Sequence, residues 1–189
     1  MGTQLSLISK HIEGVIDPAK DISDAERLQN LGAISLTSKE VIFTLRETIW
    51  ALNKEEISLE ELSDKLKSFT QKLYVLNQTC RLLFTENIAD ENVVLSPSEA
   101  IHLFRICQEA ITNSLKYANA AAMGVSISSE NGRYLISISD DGIGFEPGIK
   151  KATAHYGLDN MKFRADEIAC DFIIDTMPGK GTRITISKK

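Results

Sequence analysis

Four short segments carry residue types that could bind a nucleotide or a metal ion. In the first, a predicted helix over residues 97–118 carries a polar stripe at spacings of three and four residues, formed by Arg105, Glu109, Thr112, Asn113 and Lys116. Asparagine is a middling helix former, so Asn113 in the middle of a helix is a mild indication of a site. A solvated helix face would produce the same stripe without any function.

The second segment is Asp140-Asp141-Gly142-Ile143-Gly144-Phe145, directly after a predicted strand. An aspartate at a strand end can accept a hydrogen bond from an exocyclic amine. Two glycines two residues apart permit positive φ and let a ligand approach the backbone closely. Taken alone, the segment is equally typical of a plain turn.

The remaining two segments lie near the C-terminus. His155-Tyr156-Gly157-Leu158 begins a predicted helix, whose first backbone N–H groups and positive dipole end could bind an anion. Gly179-Lys180-Gly181-Thr182 has the composition of a hairpin turn. A simple helix cap and a simple turn remain the alternatives for these two segments.

Local patterns predict the elements that hold these segments. Ser58 and Ser96 each precede a helix and are followed three residues later by a glutamate, which is a capping box. Alternating residues predict strands over 79–86, 123–129 and 133–139, with Asn131-Gly132 as a hairpin turn, and a second hairpin of 171–177 with 183–189. A polar linker is expected around residues 86–92. These elements predict an α+β fold for residues 57–189, a two-layer sandwich with a mixed, mostly antiparallel sheet.

The spacing of apolar residues over 1–54 predicts long helices with an apolar seam. The seam consists of Leu28, Leu31, Ile42, Leu45, Ile49 and Leu52, with Ser35 and Ser38 at two places between. An upstream helix from Leu5 to Val15 stops at Asp17-Pro18, so a loop near residues 17–23 would close a helical hairpin. Pairing of two hairpins into a four-helix bundle would bury the seam, and an intramolecular helical core is the alternative.

Composition excludes several classes of protein. The 189 residues carry 21 Lys plus Arg against 26 Asp plus Glu, a net charge of −5, which argues against nucleic acid as the partner. Three scattered cysteines fit reduced thiols and no zinc site. The absence of a long apolar run and of a signal-peptide pattern leads us to expect a cytoplasmic protein.

The order of the four segments resembles a known family. QEAITNSLKYANA is similar to the N box of sensor histidine kinases of the DesK and NarX type, DDGIGF to their G1 box, and YGLDNMKFRA to the end of their ATP lid. The resemblance covers roughly residues 57–189. It implies the ATP-binding domain of the superfamily of histidine kinases, gyrase, Hsp90 and MutL.

The resemblance implies a role for residues near the phosphates of ATP. Asn113 would coordinate Mg²⁺, Glu109 would polarise the reacting group or a metal-bound water, and Lys116 would lie near the phosphates. Gly157 and Leu158 would offer backbone N–H groups to the phosphates. One amide oxygen together with phosphate oxygens suits Mg²⁺, which takes hard oxygen ligands and keeps several waters.

The resemblance also implies roles around the adenine base. Asp140 would accept the adenine amino group, supported by Gly181-Thr182. Gly142 and Gly144 would let the lid begin close to the nucleotide, and residues 146–156 would form that lid.

One family feature is not recognisable in this sequence. The family carries a phosphoacceptor histidine in an H box on the helical hairpin, and Gly2-Thr3-Gln4-Leu5 resembles the stretch just after it. His11, His102 and His155 lack the neighbouring residues of that box. We therefore expect a catalytic fragment of a longer sensor that binds ATP without phosphorylating itself, and the parent could be anchored in a membrane. The parent would pass the phosphoryl group to a histidine and then to a response regulator.

Two other interpretations stay open. An anti-sigma-factor-type serine kinase resembles the same nucleotide fold, although it has no need of a heptad hairpin. A non-catalytic module could hold nucleotide as a structural switch.

Overall fold

The computed structural model of the chain describes residues 6, 9–10, 12–13, 23–76, 80–90, 92–146 and 156–188. The chain divides into two compact units, residues 1–53 and 54–189. Along the described part of the chain, no helix combines the length and the apolar character that crossing a membrane requires.

The first unit contains helix α1, Asp24–Leu52. Ser23 and Glu26 form a capping box at its start: the Ser23 hydroxyl accepts from the Glu26 N–H at 3.3 Å, and the Glu26 carboxylate accepts from the Ser23 N–H at 3.0 Å. The predicted helix upstream is described at residues 6, 9–10 and 12–13, which are helical, while the predicted hairpin loop lies outside the described residues. All six apolar side chains of the heptad seam are exposed, by 41–71%.

The described part of the second unit contains three helices and seven strands. In chain order they are β1 (Ile57–Ser58), α2 (Leu59–Leu76), β2 (Arg81–Ile88), β3 (Val94–Leu95), α3 (Pro97–Tyr117), β4 (Ala122–Glu130), β5 (Arg133–Asp140), α4 (Tyr156–Glu167), β6 (Cys170–Thr176) and β7 (Thr182–Lys188).

Five of these strands form one mixed sheet in the order β2-β4-β5-β7-β6. β2 and β4 are parallel, and the other three pairs are antiparallel. Asn131 and Gly132 join β4 to β5 with φ values of 53° and 74°, the positive values that a tight hairpin turn requires. The predicted α+β class and the mostly antiparallel sheet are confirmed.

One face of the sheet supports the helices and the other faces solvent. Ile136 and Ile138 of β5 and Ile186 of β7 are at least 98% buried, whereas Leu135, which precedes Ile136, is 44% exposed. Because side chains alternate between the two faces of a strand, this pattern places the core on one side only. The helices therefore form the second layer of a two-layer sandwich, as predicted.

Two local features differ from what the sequence patterns indicate. The strand predicted over 79–86 runs over 81–88, so the expected polar linker begins later than residue 86. The reason is Glu86, whose carboxylate accepts from the Ser63 hydroxyl and the Lys67 ammonium of α2. These partners let a charged residue lie on the helix side of the sheet. The pairing of β1 with β3, two residues each, was not predicted.

Candidate nucleotide-binding site

Helix α3 carries the first predicted segment. Its start is the predicted capping box: the Ser96 hydroxyl accepts from the Glu99 N–H at 3.2 Å, and the Glu99 carboxylate accepts from the Ser96 N–H at 2.9 Å. One side of the helix is buried through Leu103, Phe104, Ile106, Cys107 and Ile111. This packing fixes the rotation of the helix, which leaves Glu109 and Asn113 half-buried and Lys116 exposed on its last turn.

The beginning of α4 lies against two residues of the N-box segment. A methyl group built on Gly157 would lie 2.4 Å from Glu109 Oε1 and 3.5 Å from Asn113 Nδ2. The structure thus brings Gly157, Glu109 and Asn113 together, and Leu158 follows as a half-buried residue. An amide side chain, a carboxylate and the positive end of a helix dipole at one point suit a phosphate carrying a divalent cation.

Asp140 lies at the end of β5 and its carboxylate accepts three hydrogen bonds. Oδ1 accepts from the backbone N–H of Gly142 at 3.0 Å and of Thr182 at 3.2 Å. Oδ2 accepts from the Ser114 hydroxyl of α3 at 2.8 Å. Three elements therefore converge on one carboxylate and hold it in place.

Gly142 allows the loop after β5 to pack on the end of α3. A methyl group on Gly142 would lie 2.1 Å from the carbonyl oxygen of Ala118, so no larger residue fits without moving the backbone. The next residue, Ile143, donates its N–H to the same carbonyl at 2.8 Å. This contact ties the loop to the helix that carries Asn113.

Gly144 and Gly181 adopt the left-handed region, with φ values of 57° and 72°. A methyl group on Gly181 would lie 2.0 Å from the carbonyl oxygen of Asp140, and one on Gly144 would lie 2.1 Å from that of Met177. Both positions therefore need glycine for conformation and for space.

Thr176 links these two loops and is not among the predicted site residues. Its hydroxyl accepts from the Phe145 N–H at 3.1 Å, lies 3.1 Å from the Gly181 carbonyl oxygen and 3.2 Å from the Thr182 hydroxyl. Ser114 was also missed as a site residue. Its position immediately after Asn113, as a polar residue on the buried side of the helix, was the available signal.

A pocket of about 600 Å³ opens at this end of the sheet. Its lining is mixed, with four charged side chains and three hydroxyls beside two apolar side chains and one glycine, namely Ser139, Asp140, Ile174, Asp175, Thr176, Met177, Lys180, Gly181, Thr182 and Arg183. The apolar Ile174 and Met177 beside the fixed Asp140 carboxylate suit a planar heterocycle with an amine to donate. Glu109, Asn113 and Gly157 are not among the lining residues, so the pocket represents the base end of the site.

Other predicted features do not join the site or lie outside the described residues. Residues 147–155, which include most of the predicted lid and His155, are not described, and neither is His11. His102 lies on α3, with a buried Nδ1 that has no hydrogen-bond partner among the described residues. Burial lowers the pKa of His102, as does the nearby Arg164, while Glu167 acts in the opposite direction.

The donor set around Asn113 fits Mg²⁺ held jointly with phosphates. Within the described residues there is no group of three or more His, Cys, Asp or Glu side chains that could hold a metal by themselves. Mg²⁺ commonly binds through one or two protein oxygens plus substrate phosphates and water. Asn113 beside the α4 N-terminus meets that requirement.

Comparison with known proteins identifies the family. The family model of the histidine kinase-, DNA gyrase B- and HSP90-like ATPases matches residues 98–189. The chain is 30% identical over 186 residues to the nitrate/nitrite sensor protein NarQ of Escherichia coli K12, covering 97% of this chain and 30% of NarQ. It is 42% identical over 85 residues to the sensor protein VraS of Staphylococcus aureus COL, covering 45% of this chain and 24% of VraS.

A solved structure agrees in fold. Full-length ShkA in complex with AMPPNP aligns with 98% of this chain and 43% of its own, with a TM-score of 0.66 and 11% sequence identity. The chain spans less than a third of the length of the two curated relatives. Residues 98–189 therefore belong to the histidine kinase-, DNA gyrase B- and HSP90-like ATPase family, and the chain as a whole is similar to sensor histidine kinases.

Proposed function

We propose that this chain binds Mg-ATP between Asp140 and the Glu109–Asn113–Gly157 cluster. In the whole protein, the γ-phosphoryl group would pass to a histidine and then to an aspartate of a response regulator. The observation that carries the proposal is the Asp140 carboxylate, held by three hydrogen bonds in the lining of a pocket at the end of the sheet. The complex of ShkA with AMPPNP, an ATP analogue, supports the same ligand class.

At the base end, Asp140 accepts the exocyclic amine of adenine. Its Oδ1 is fully used by the two backbone N–H groups, so the bond to the base goes to Oδ2. Gly181-Thr182 supports the carboxylate through the Thr182 N–H, and Gly142 and Gly144 bring the loop backbone close to the base.

At the phosphate end, Asn113 offers its amide oxygen to Mg²⁺. The ion supplies charge neutralisation and alignment of the phosphates, which is most of what phosphoryl transfer requires. Gly157 and Leu158 offer N–H groups at the start of α4, and Lys116 adds a positive charge on the last turn of α3. Glu109 Oε1, directly over Gly157, is positioned to hold a proton of the reacting group or of a metal-bound water.

The receiving histidine, we propose, is none of the three in this sequence. His102 lies on α3, outside any helical hairpin and without the neighbouring residues of an H box. The exposed seam of α1 supports a homodimer through helical hairpins. The three free cysteines support a reducing compartment and hence a cytoplasmic location.

Calorimetric titration of Mg-ADP or Mg-AMPPNP into this chain tests the binding step. We expect Asp140→Asn to weaken binding on the order of 100-fold, because the amide cannot reproduce a charged acceptor with the same partners. Asp90→Asn is the matched control. Asp90 also accepts backbone N–H groups, from Gly132 at 2.7 Å and Asn92 at 3.0 Å, but at the opposite end of the β4–β5 hairpin. Equal affinity of the wild type and Asp140→Asn would contradict the proposal.

Labelled Mg-ATP then tests where the phosphoryl group goes. Acid-labile label on a supplied H-box peptide, and its later appearance on a response regulator, is the expected result. Acid-stable label on a serine of an anti-anti-sigma protein would favour the serine kinase instead. Binding without transfer to any of these acceptors would favour the nucleotide-dependent switch.

A further inference from the structure

Ser114 is a buried serine in the last turns of α3 whose hydroxyl faces the base end of the site. It is 8% exposed, and its hydroxyl donates to Asp140 Oδ2 at 2.8 Å. Its backbone is held as well: the Ser114 carbonyl accepts from the Ala118 N–H, and the Ala118 carbonyl accepts from the Ile143 N–H. The hydroxyl is therefore fixed relative to both the helix and the loop after β5.

The three bonds to Asp140 divide unequally between its two oxygens. An ionised carboxylate has about four lone-pair positions, two on each oxygen. The Gly142 and Thr182 N–H groups use both positions on Oδ1, and Ser114 uses one on Oδ2. One acceptor position remains, on Oδ2.

Ser114 also fixes the direction of that remaining position. Both backbone bonds act on Oδ1, so the Ser114 hydroxyl is the group that holds the other oxygen directly. This bond occupies one position on Oδ2 and resists rotation of the carboxylate about the Cβ–Cγ bond. Consecutive residues of a helix point about 100° apart. Asn113 therefore faces the phosphate end of the site and Ser114 faces the base end, although both lie on one helical turn.

We propose that Ser114 is a positioning residue that aims the last acceptor position of Asp140 at the exocyclic amine of adenine. The proposal rests on the proposed function, since it assumes that Asp140 meets the base. Ser114 itself does not touch the nucleotide in this proposal. It determines how strongly the site distinguishes a purine with a 6-amino group from one without.

The test compares two nucleotides in wild type and Ser114→Ala. They are Mg-ATP and the Mg complex of purine riboside triphosphate, which lacks only the 6-amino group, and affinities are measured by calorimetry without turnover. We expect Ser114→Ala to bind ATP about tenfold more weakly and to bind the purine riboside nucleotide as the wild type does. A general loosening of the pocket would weaken the binding of both nucleotides, so a loss of affinity confined to ATP distinguishes the proposed role from it.

Ser63→Ala is the matched control. Ser63 is also a fully buried helix serine that donates to a carboxylate, that of Glu86 on β2, outside the site. It should leave both affinities unchanged. Ser114→Cys, a near-isostere with a weak donor, serves as the second variant. If Ser114→Ala does not fold, we expect Ser114→Cys to show the loss of affinity confined to ATP in its place.

The outcomes separate this inference from the proposed function. A wild type that binds both nucleotides equally, or neither, overturns the assignment of Asp140 to adenine and this inference with it. A wild type that prefers ATP, combined with serine variants that keep the same preference, overturns the role of Ser114 alone. Equal losses for both nucleotides in the variants overturn it as well.

Discussion

His102 lies on α3 beside α4 without a hydrogen-bond partner for its buried Nδ1 among the described residues. Burial disfavours the charged imidazolium, and Arg164 of α4 disfavours it further, while Glu167 favours it. The folded protein therefore binds a proton at His102 less readily than the unfolded chain does. Protonation should weaken the packing of the two helices that carry the phosphate end of the site.

This difference predicts a pH-dependent stability. Because the pKa of His102 is lower in the folded state, the neutral imidazole makes its full contribution to the free energy of unfolding above the ordinary pKa of about 6.5. The contribution is lost as the pH falls below that value toward the folded-state pKa. We expect the free energy of unfolding of the wild type to fall between pH 7.5 and 5.5, and that of His102→Gln to fall less. Parallel pH profiles in urea unfolding would contradict the prediction.

The two loops at the end of the sheet are joined to each other by main-chain contacts. Gly144 in the loop after β5 lies against the Met177 carbonyl in the β6–β7 turn, and the Gly179 N–H donates to the Ile143 carbonyl at 2.7 Å. Thr176 bonds to both loops. The base end of the site therefore depends on two hairpin ends that are more than 30 residues apart in the chain.

Alanine at two of these glycines should separate conformation from space. Gly144 and Gly179 both have positive φ, 57° and 77°, but only at Gly144 would a methyl group meet other atoms. Each substitution should cost about 1–2 kcal/mol for the left-handed backbone. Gly144→Ala should cost a further 1–3 kcal/mol or so for overpacking and should weaken nucleotide binding. Thermal unfolding measures the stability and calorimetry measures the nucleotide affinity. Equal losses of stability at the two positions would mean that the Met177 carbonyl shifts to make room for the methyl group.

At the scale of the whole molecule, the first unit leaves an apolar seam uncovered while the second unit has its own core. Leu28 and Leu52, at the two ends of the seam, are 71% and 67% exposed. Large contiguous apolar surfaces of this kind are typical of association surfaces. The seam and the nucleotide site lie in different units, so they should respond to mutation separately.

Charged substitutions in the seam should reduce self-association without affecting nucleotide binding. We expect the double variant Leu45→Lys and Ile49→Lys to lower the association constant at least about tenfold in sedimentation equilibrium, because a buried lysine would lose its hydration. Leu83→Lys is the control, since Leu83 is also 54% exposed but lies on the outer face of the sheet. Equal association of the seam variant and the wild type would contradict the dimer proposal.

Features that depend on neighbouring residues could be predicted from the sequence alone. The capping boxes at Ser58 and Ser96 and the Asn131-Gly132 turn are formed by residues at most three apart, and the structure has all three. The alternation of strands and the order of the segments were sufficient for the α+β class. Local hydrogen bonds and backbone preferences act over a few residues, so they can be read from a single chain.

Which distant groups meet is apparent only in the folded chain. Ser114 bonds to Asp140 across 26 residues, Thr176 bonds to Phe145 across 31, and Glu86 stays in a strand because Ser63 holds its carboxylate from another element. The neighbours of each group depend on sheet register and on how helices pack, which no short window of sequence contains. Asp140 was recognisable from its own segment, but the hydroxyl that orients it became visible only when α3 was packed on the sheet.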